Sequence, residues 1–223
     1  MQGEPAHPGP RHGRADRSAR SAVGVRRHRQ PDRGGAQVTD DVREDGALAE
    51  TRLDQGTFTL RAVGPDTDAK LIHPWMNDPE VARYWEMAQP LEAITAYLRS
   101  QVESAHSTPF VGCLDGVPMS YWELYRADLD PLAEHYAAQP HDAGLHLLLG
   151  PSAFRGRGLG ALLLRAVSDW QLRSDPYARR VVAEPDVRNV RSVRAFERAG
   201  FRRVRELDLP DKRAAFMVRE RGI

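Results

Sequence analysis

A short apolar run, Leu145-His146-Leu147-Leu148-Leu149, is followed closely by Arg155-Gly156-Arg157-Gly158-Leu159-Gly160, and then by a stretch whose apolar residues recur at helical spacing. Strand, glycine turn, helix is an order that confines the chain to a few α/β layouts, because the strand must be central and the helix must pack back across it. Leu159, Leu162, Leu163, Ala166 and Trp170 are expected to mark the inward face of that helix. Glycines allow backbone conformations barred to other residues and let main-chain N–H groups approach a ligand, while the free amides and dipole of a helix start attract phosphate. Two arginines in the turn add charge-assisted donors, so the segment reads as a diphosphate site. It lacks the Lys-Ser/Thr ending of a nucleotide P-loop and does not complete G-x-G-x-x-G. Taken alone, such a segment can also be a tight turn and nothing more.

The rest of the composition narrows the options. A chain of 223 residues supports one domain with its own core plus a tail. Its 41% hydrophobic and 28% charged content is that of a globular protein, and no stretch approaches the roughly 18 apolar residues of a membrane span. With a formal charge of +1 there is no overall field to recruit nucleic acid. A single cysteine, Cys113, excludes an internal disulfide and a cysteine-based zinc site, and no other metal-ligand cluster stands out.

Residues 1–56 are expected to form a disordered tail, since they lack apolar periodicity and are dense in Pro, Gly, Arg, Ser and His. A solvated tail, or a start placed too far upstream, is favoured there over a nucleic-acid arm. No apolar segment follows the arginines as a secretory signal requires. Residues 57–223 are expected to form the domain. Phe58, Leu60 and Ala62 alternate as on a half-buried strand. Leu71, Ile72 and Trp75 suit a helix, Asp78-Pro79 a helix start, and Leu91, Ile94, Leu98 and Val102 a further core-facing helix. Asp115-Gly116 signals a hairpin between Phe110–Leu114 and Val117–Tyr125. Beyond the glycine turn, Arg180–Glu184 reads as a strand, Asn189 as the cap of a helix carrying Val193 and Phe196, and Lys212 as the turn of a last hairpin.

The spacing R-x-x-G-x-G over Arg155–Gly160, between a strand and a helix, resembles the acyl-CoA diphosphate loop of GNAT acetyltransferases, and Asn189–Phe201 resembles the second motif of that superfamily. The resemblance implies an α/β (α+β) fold with a mixed central sheet splayed between its fourth and fifth strands, flanked by helices. Further segments are similar to one branch, the siderophore N-acyltransferases of aerobactin, desferrioxamine and mycobactin assembly: Trp75–Pro79 with Trp85-Glu86, Tyr121–Tyr125, Gln139–Asp142 running into Gly144–His146, Phe154–Gly158, Glu184-Pro185, and Pro210–Ala215. Together they cover most of residues 58–220.

Carried over position by position, the family's active-site histidine falls on His146 and its catalytic acid on Glu184. The resemblance implies acyl-CoA, acetyl or succinyl, as co-substrate without a metal. It also implies a small hydroxylamine or amine acceptor, a cytoplasmic location, and a monomer or homodimer. Donor-binding candidates are Leu147, Leu148 and Leu149, whose amides can receive the thioester oxygen, then Arg155, Gly156, Arg157, Gly158, Leu159 and Gly160, and Asn189 and Phe196. Trp75, Trp85, Trp122 and Tyr125 either wall a slot for an aliphatic chain or are plain core, with core favoured for two of them, and Glu123 is a candidate for the acceptor's far cation. Asp186 and Arg188 read as solvated loop charges. Glu184 is the expected base, with His146 either orienting the acceptor's hydroxyl or sharing the proton. Two other functions fit the same motifs: acetylation of a protein N-terminus, aminoglycoside or polyamine, and a non-enzymatic acyl-CoA-binding module.

Overall fold

The computed structural model describes residues 47–222. Along it run β1 (Ala47–Leu53), β2 (Gly56–Ala62), α1 (Pro65–Met76), α2 (Pro79–Trp85), α3 (Leu91–Val102), β3 (Ser107–Leu114), β4 (Val117–Arg126), β5 (Ala143–Leu149), α4 (Leu159–Ser174), β6 (Arg180–Ala183), α5 (Val190–Arg198), β7 (Arg202–Asp208) and β8 (Arg213–Glu220). Strand β1 corrects the expected boundary: pairing begins well ahead of Thr57, with β1 folding back antiparallel onto β2. The rest of the expected tail, residues 1–46 with its arginine run, lies outside the described residues.

Local chemistry explains most element ends. Asp78 caps α2 by accepting from the Glu80 amide at 2.9 Å, and Pro79 occupies the first turn. Asp115 and Gly116 both have positive φ, 47° and 77°, as a two-residue hairpin turn with the twist of its strands requires. The eight strands form one sheet in the order β1-β2-β3-β4-β5-β6-β8-β7. Every neighbouring pair is antiparallel except β5 with β6.

Both faces of the sheet are covered. Phe58, Leu60, Phe110, Trp122, Leu124 and Leu145 pack with α4 and α5 on one side, while Val111, Cys113, Tyr121 and Leu148 pack with α1 and α3 on the other. Alternation along β3, β4 and β5 therefore sends successive side chains to opposite layers. Two expected core positions are exposed, Val102 at 47% and Leu162 at 40%. Val102 closes the last turn of α3, past the buried Ile94 and Leu98. In α4 the buried stripe runs through Leu159, Leu163, Leu164, Val167 and Gln171, so the three consecutive leucines divide with Leu162 outward.

Strands β5 and β6 pair only at Ala143↔Val181 and Gly144↔Val182, then part. This is the expected splay, displaced one strand along the count by β1. Just before it, Asp142 anchors the entry to β5. It is 1% exposed and accepts from the Arg180 guanidinium at 2.7 Å, the Tyr136 hydroxyl at 2.9 Å and the Gln139 amide at 2.9 Å. Because hydrogen bonds to a charged group each contribute about 1.5–3 kcal/mol, Asp142→Asn is expected to lower unfolding free energy by about that much for one weakened bond. Urea denaturation measures this, and an unchanged midpoint would contradict it.

Candidate active site

The gap between β5 and β6 is where the two expected catalytic side chains meet. His146 stands on β5 and Glu184 directly after β6; His146 Nε2 lies 2.5 Å from Glu184 Oε1. The Tyr125 hydroxyl donates to Glu184 Oε2 at 3.0 Å and lies 3.4 Å from His146 Nε2. Tyr125 reaches this far because its cross-strand partner is Gly144: a Cβ at residue 144 would sit 2.3 Å from the Tyr125 ring. Lys212, in the β7–β8 turn, brings Nζ to 3.5 Å from Glu184 Oε1. On its other side, His146 Nδ1 lies 3.0 Å from Glu123 Oε2.

These neighbours fix the charges. Burial alone would raise the Glu184 carboxyl, but the His146 ring, Lys212 and the Tyr125 hydroxyl together hold it well below the usual carboxylate range. Burial alone would likewise lower His146, and the negative charges of Glu184 and Glu123 outweigh it, so the imidazole is held protonated above its ordinary value. Geometry and charge together favour an imidazolium between two carboxylates.

Glu123, expected to bind the acceptor's far cation, lines the cavity but is already engaged within the protein. Its Oε1 accepts from the Tyr121 hydroxyl at 3.0 Å and from Tyr97, and its Oε2 faces His146. Tyr125 is buried beneath Glu184 rather than walling a slot. Trp75 is also core, packed flat against Gly150, where a Cβ would come within 2.2 Å of the indole. Of the expected slot residues only Trp85 lines the cavity, its edge meeting the His146 ring at a centroid distance of 6.2 Å. Asp186 is buried and ion-paired with Arg188, so it is not a solvated charge.

One cavity of 740 Å³ takes in His146, Glu184, Lys212, Trp85, Leu147–Leu149 and the glycine turn. Gly156 and Gly158 have φ of 73° and 77° with nothing within 4 Å of a Cβ position, so backbone conformation rather than crowding demands glycine there. Gly158 caps α4 without a side chain, leaving the first amides of that helix open. Leu159 buries its side chain in the core, so it can offer only its amide. Arg157 is exposed. Arg155 departs from expectation: its guanidinium turns inward to the Leu149 carbonyl at 3.0 Å, to the Gly150 carbonyl and to Asp78 at 2.8 Å. It braces the turn against α2 instead of extending toward a phosphate. Asn189 caps α5 by accepting from the Ser192 amide at 3.1 Å, and it lines the cavity with Phe196.

The expected trio of amides divides. Ala127 donates to Asp142 and Gly150 donates to Met119, which sets the ladder between β4 and β5 at both ends. By strand alternation Leu148 then faces β4, whereas the Leu147 and Leu149 amides point into the gap. Tyr97, Tyr121 and Lys212 belong to the site and were not singled out as site residues from the sequence. For Lys212 a signal existed, since it is one of two lysines in the chain and sits in a turn.

A sheet opened between two parallel central strands, with a glycine turn and helix start on one side of the gap and an acid–histidine pair within it, is the framework of an acyltransferase that lays a thioester between strands. The chain belongs to the acetyltransferase (GNAT) domain family, whose pattern matches residues 64–209. It is 40% identical over 164 residues to the N(6)-hydroxylysine O-acetyltransferase of Escherichia coli, covering 74% of this chain and 52% of that protein. It is 37% identical over 178 residues to the lysine N-acyltransferase MbtK of Mycobacterium sp. (strain MCS), covering 80% and 72%. The chain thus spans about half the length of the first relative. Among solved structures, an aminoglycoside acetyltransferase in complex with coenzyme A matches with a TM-score of 0.67 at 28% identity, over 74% of this chain and 95% of that one. Among the described residues no helix is long and apolar enough to cross a membrane.

Proposed function

We propose that the chain transfers an acyl group, acetyl or succinyl, from a coenzyme A thioester to the nitrogen of an N-hydroxylated aliphatic amine, the reaction that makes hydroxamates for siderophore assembly. The observation that carries this reading is the meeting of Glu184 and His146 in the β5–β6 gap, within the same cavity as the open amides of the glycine turn. Its acceptor class is supported by the 40% identity to a relative named for N(6)-hydroxylysine. A coenzyme A donor goes with a cytoplasmic location.

The site's charges suit that acceptor. A strongly held carboxylate such as Glu184 is a weak base and cannot strip a proton from an alkylammonium, whose pKa is about 10.4. A hydroxylamine is largely neutral near pH 7 and needs no such step. Its nitrogen lone pair forms the C–N bond and the C–S bond breaks, with sulfur leaving as thiolate. The nitrogen, made acidic by attack, gives its proton to Glu184, and that proton balances the one the thiolate takes up. The Leu147 and Leu149 amides are placed to receive the thioester oxygen as charge develops. Trp85 and Met87 supply apolar wall for an aliphatic chain.

This division can be tested by comparing N-hydroxylysine with lysine. Turnover of the hydroxylamine is expected to stay nearly level between pH 7 and 8.5, whereas turnover of lysine rises about tenfold per pH unit, following its neutral fraction. Thiol release under saturating donor reads both. Equal turnover of the two at pH 7 would overturn the proposed acceptor class.

A further inference from the structure

We propose that Glu123, in the middle of β4, is a positioning residue for the acyl transfer: by gripping Nδ1 of His146 it fixes that ring as the proton-bearing partner and leaves Glu184 as the base. The inference rests on the acyl-transfer reading and deepens it by dividing the labour between His146 and Glu184.

The geometry comes from strand register. Glu123 lies directly opposite His146 on the antiparallel β4–β5 pair, so both side chains leave the sheet on one face at close range. Glu123 is 6% exposed, and three donors engage it: Tyr121 at 3.0 Å, Tyr97, and the imidazole at 3.0 Å. Tyr97 comes from α3, so the carboxylate is clamped from the sheet and from the helical layer above it. A group fixed this way cannot follow a substrate, but it can hold a neighbour still.

Hydrogen-bond logic then sets the state of His146. The ring has a carboxylate oxygen at each nitrogen, 3.0 Å on one side and 2.5 Å on the other. A neutral ring would present a lone pair to one of them, whereas an imidazolium satisfies both. The groups facing the ring are Glu123 and Tyr125 from β4, Glu184 after β6, and the uncharged Trp85 from α2, with Lys212 from the β7–β8 turn next to Glu184. Counting His146 as a cation, two positive and two negative charges balance. Removing the Glu123 charge leaves an excess cation, which is relieved when His146 loses its proton. A neutral His146 keeps a single N–H, and in the tautomer with its lone pair on Nε2 it competes with Glu184 for the nitrogen's proton and no longer donates toward it.

The test is Glu123→Gln in the full chain, read two ways. An NMR titration of the His146 ring in the free protein, assigned against His146→Gln, is expected to show its midpoint moving down by about one pH unit or more. In steady-state kinetics kcat is expected to fall about ten- to thirtyfold, with the acceptor KM within about twofold. A raised KM with unchanged kcat would make Glu123 a substrate contact, and an unmoved His146 midpoint would remove the positioning role; either overturns the proposal. If Glu123→Gln does not fold, Tyr97→Phe decides. Taking one donor away concentrates charge on Glu123, so the His146 midpoint should move up, and a downward or absent shift refutes the inference. The titration needs no acyl donor, so it answers even if the chain transfers no acyl group.

Discussion

Glu184→Gln is expected to lower kcat by about 10²–10⁴-fold, the range over which a positioned general base contributes. The substitution keeps the shape of the side chain and leaves an oxygen for the Tyr125 hydroxyl, which donates at 3.0 Å in the native site. What it removes is the carboxylate charge that faces His146 and Lys212 inside the cavity. Glu123 cannot replace it, because its oxygens are occupied by Tyr97, Tyr121 and His146. The donor KM should change little, since the glycine turn lies on a different element. Thiol release at saturating acyl-CoA measures the effect. A loss of less than about tenfold would mean the proton leaves by another route.

Gly158→Val should act on the other half of the reaction. At φ 77° a non-glycine residue costs about 1–2 kcal/mol, and a β-branched one is worst placed of all. The turn can escape that strain only by rebuilding, which re-aims the amides at the start of α4. Losing one or two hydrogen bonds to a charged ligand, at about 1.5–3 kcal/mol each, corresponds to roughly a 10²-fold rise in the acyl-CoA KM. Because nothing lies within 4 Å of a Cβ at this position, a valine displaces no packed side chain, so unfolding should be a minor contributor. Circular dichroism checks that, and a donor KM within about threefold of wild type would show the turn is not where the diphosphate sits.

What could be read from the sequence was whatever local order determines. The hairpin at Asp115-Gly116, the cap at Asp78-Pro79 and the strand–turn–helix around Gly156–Gly160 each carry their signal within a few residues, and all three form as expected. His146 and Glu184 were legible because each sits in a recognisable segment, although only the splay of β5 from β6 brings them to 2.5 Å. Strand β1 escaped notice because an edge strand is held by its backbone ladder to β2 and needs no strong apolar alternation of its own. Glu123 was assigned to a substrate and Arg155 to a phosphate because a sequence displays a charge without its direction. Register turned Glu123 onto His146, and the closing of the turn folded Arg155 back onto Gly150 and Asp78. Tyr97 gave no signal, since its contact with Glu123 joins α3 to a strand far along the chain.

The central claim is that acyl transfer ends on nitrogen, beside Glu184. Incubation of the protein with acetyl-CoA and N-hydroxylysine, followed by mass analysis and iron(III) complexation of the product, tests this most directly. Formation of an iron-binding hydroxamate, in step with release of free coenzyme A thiol, is the predicted result. An O-acetyl ester that binds no iron, or thiol release with plain amines alone, would contradict it.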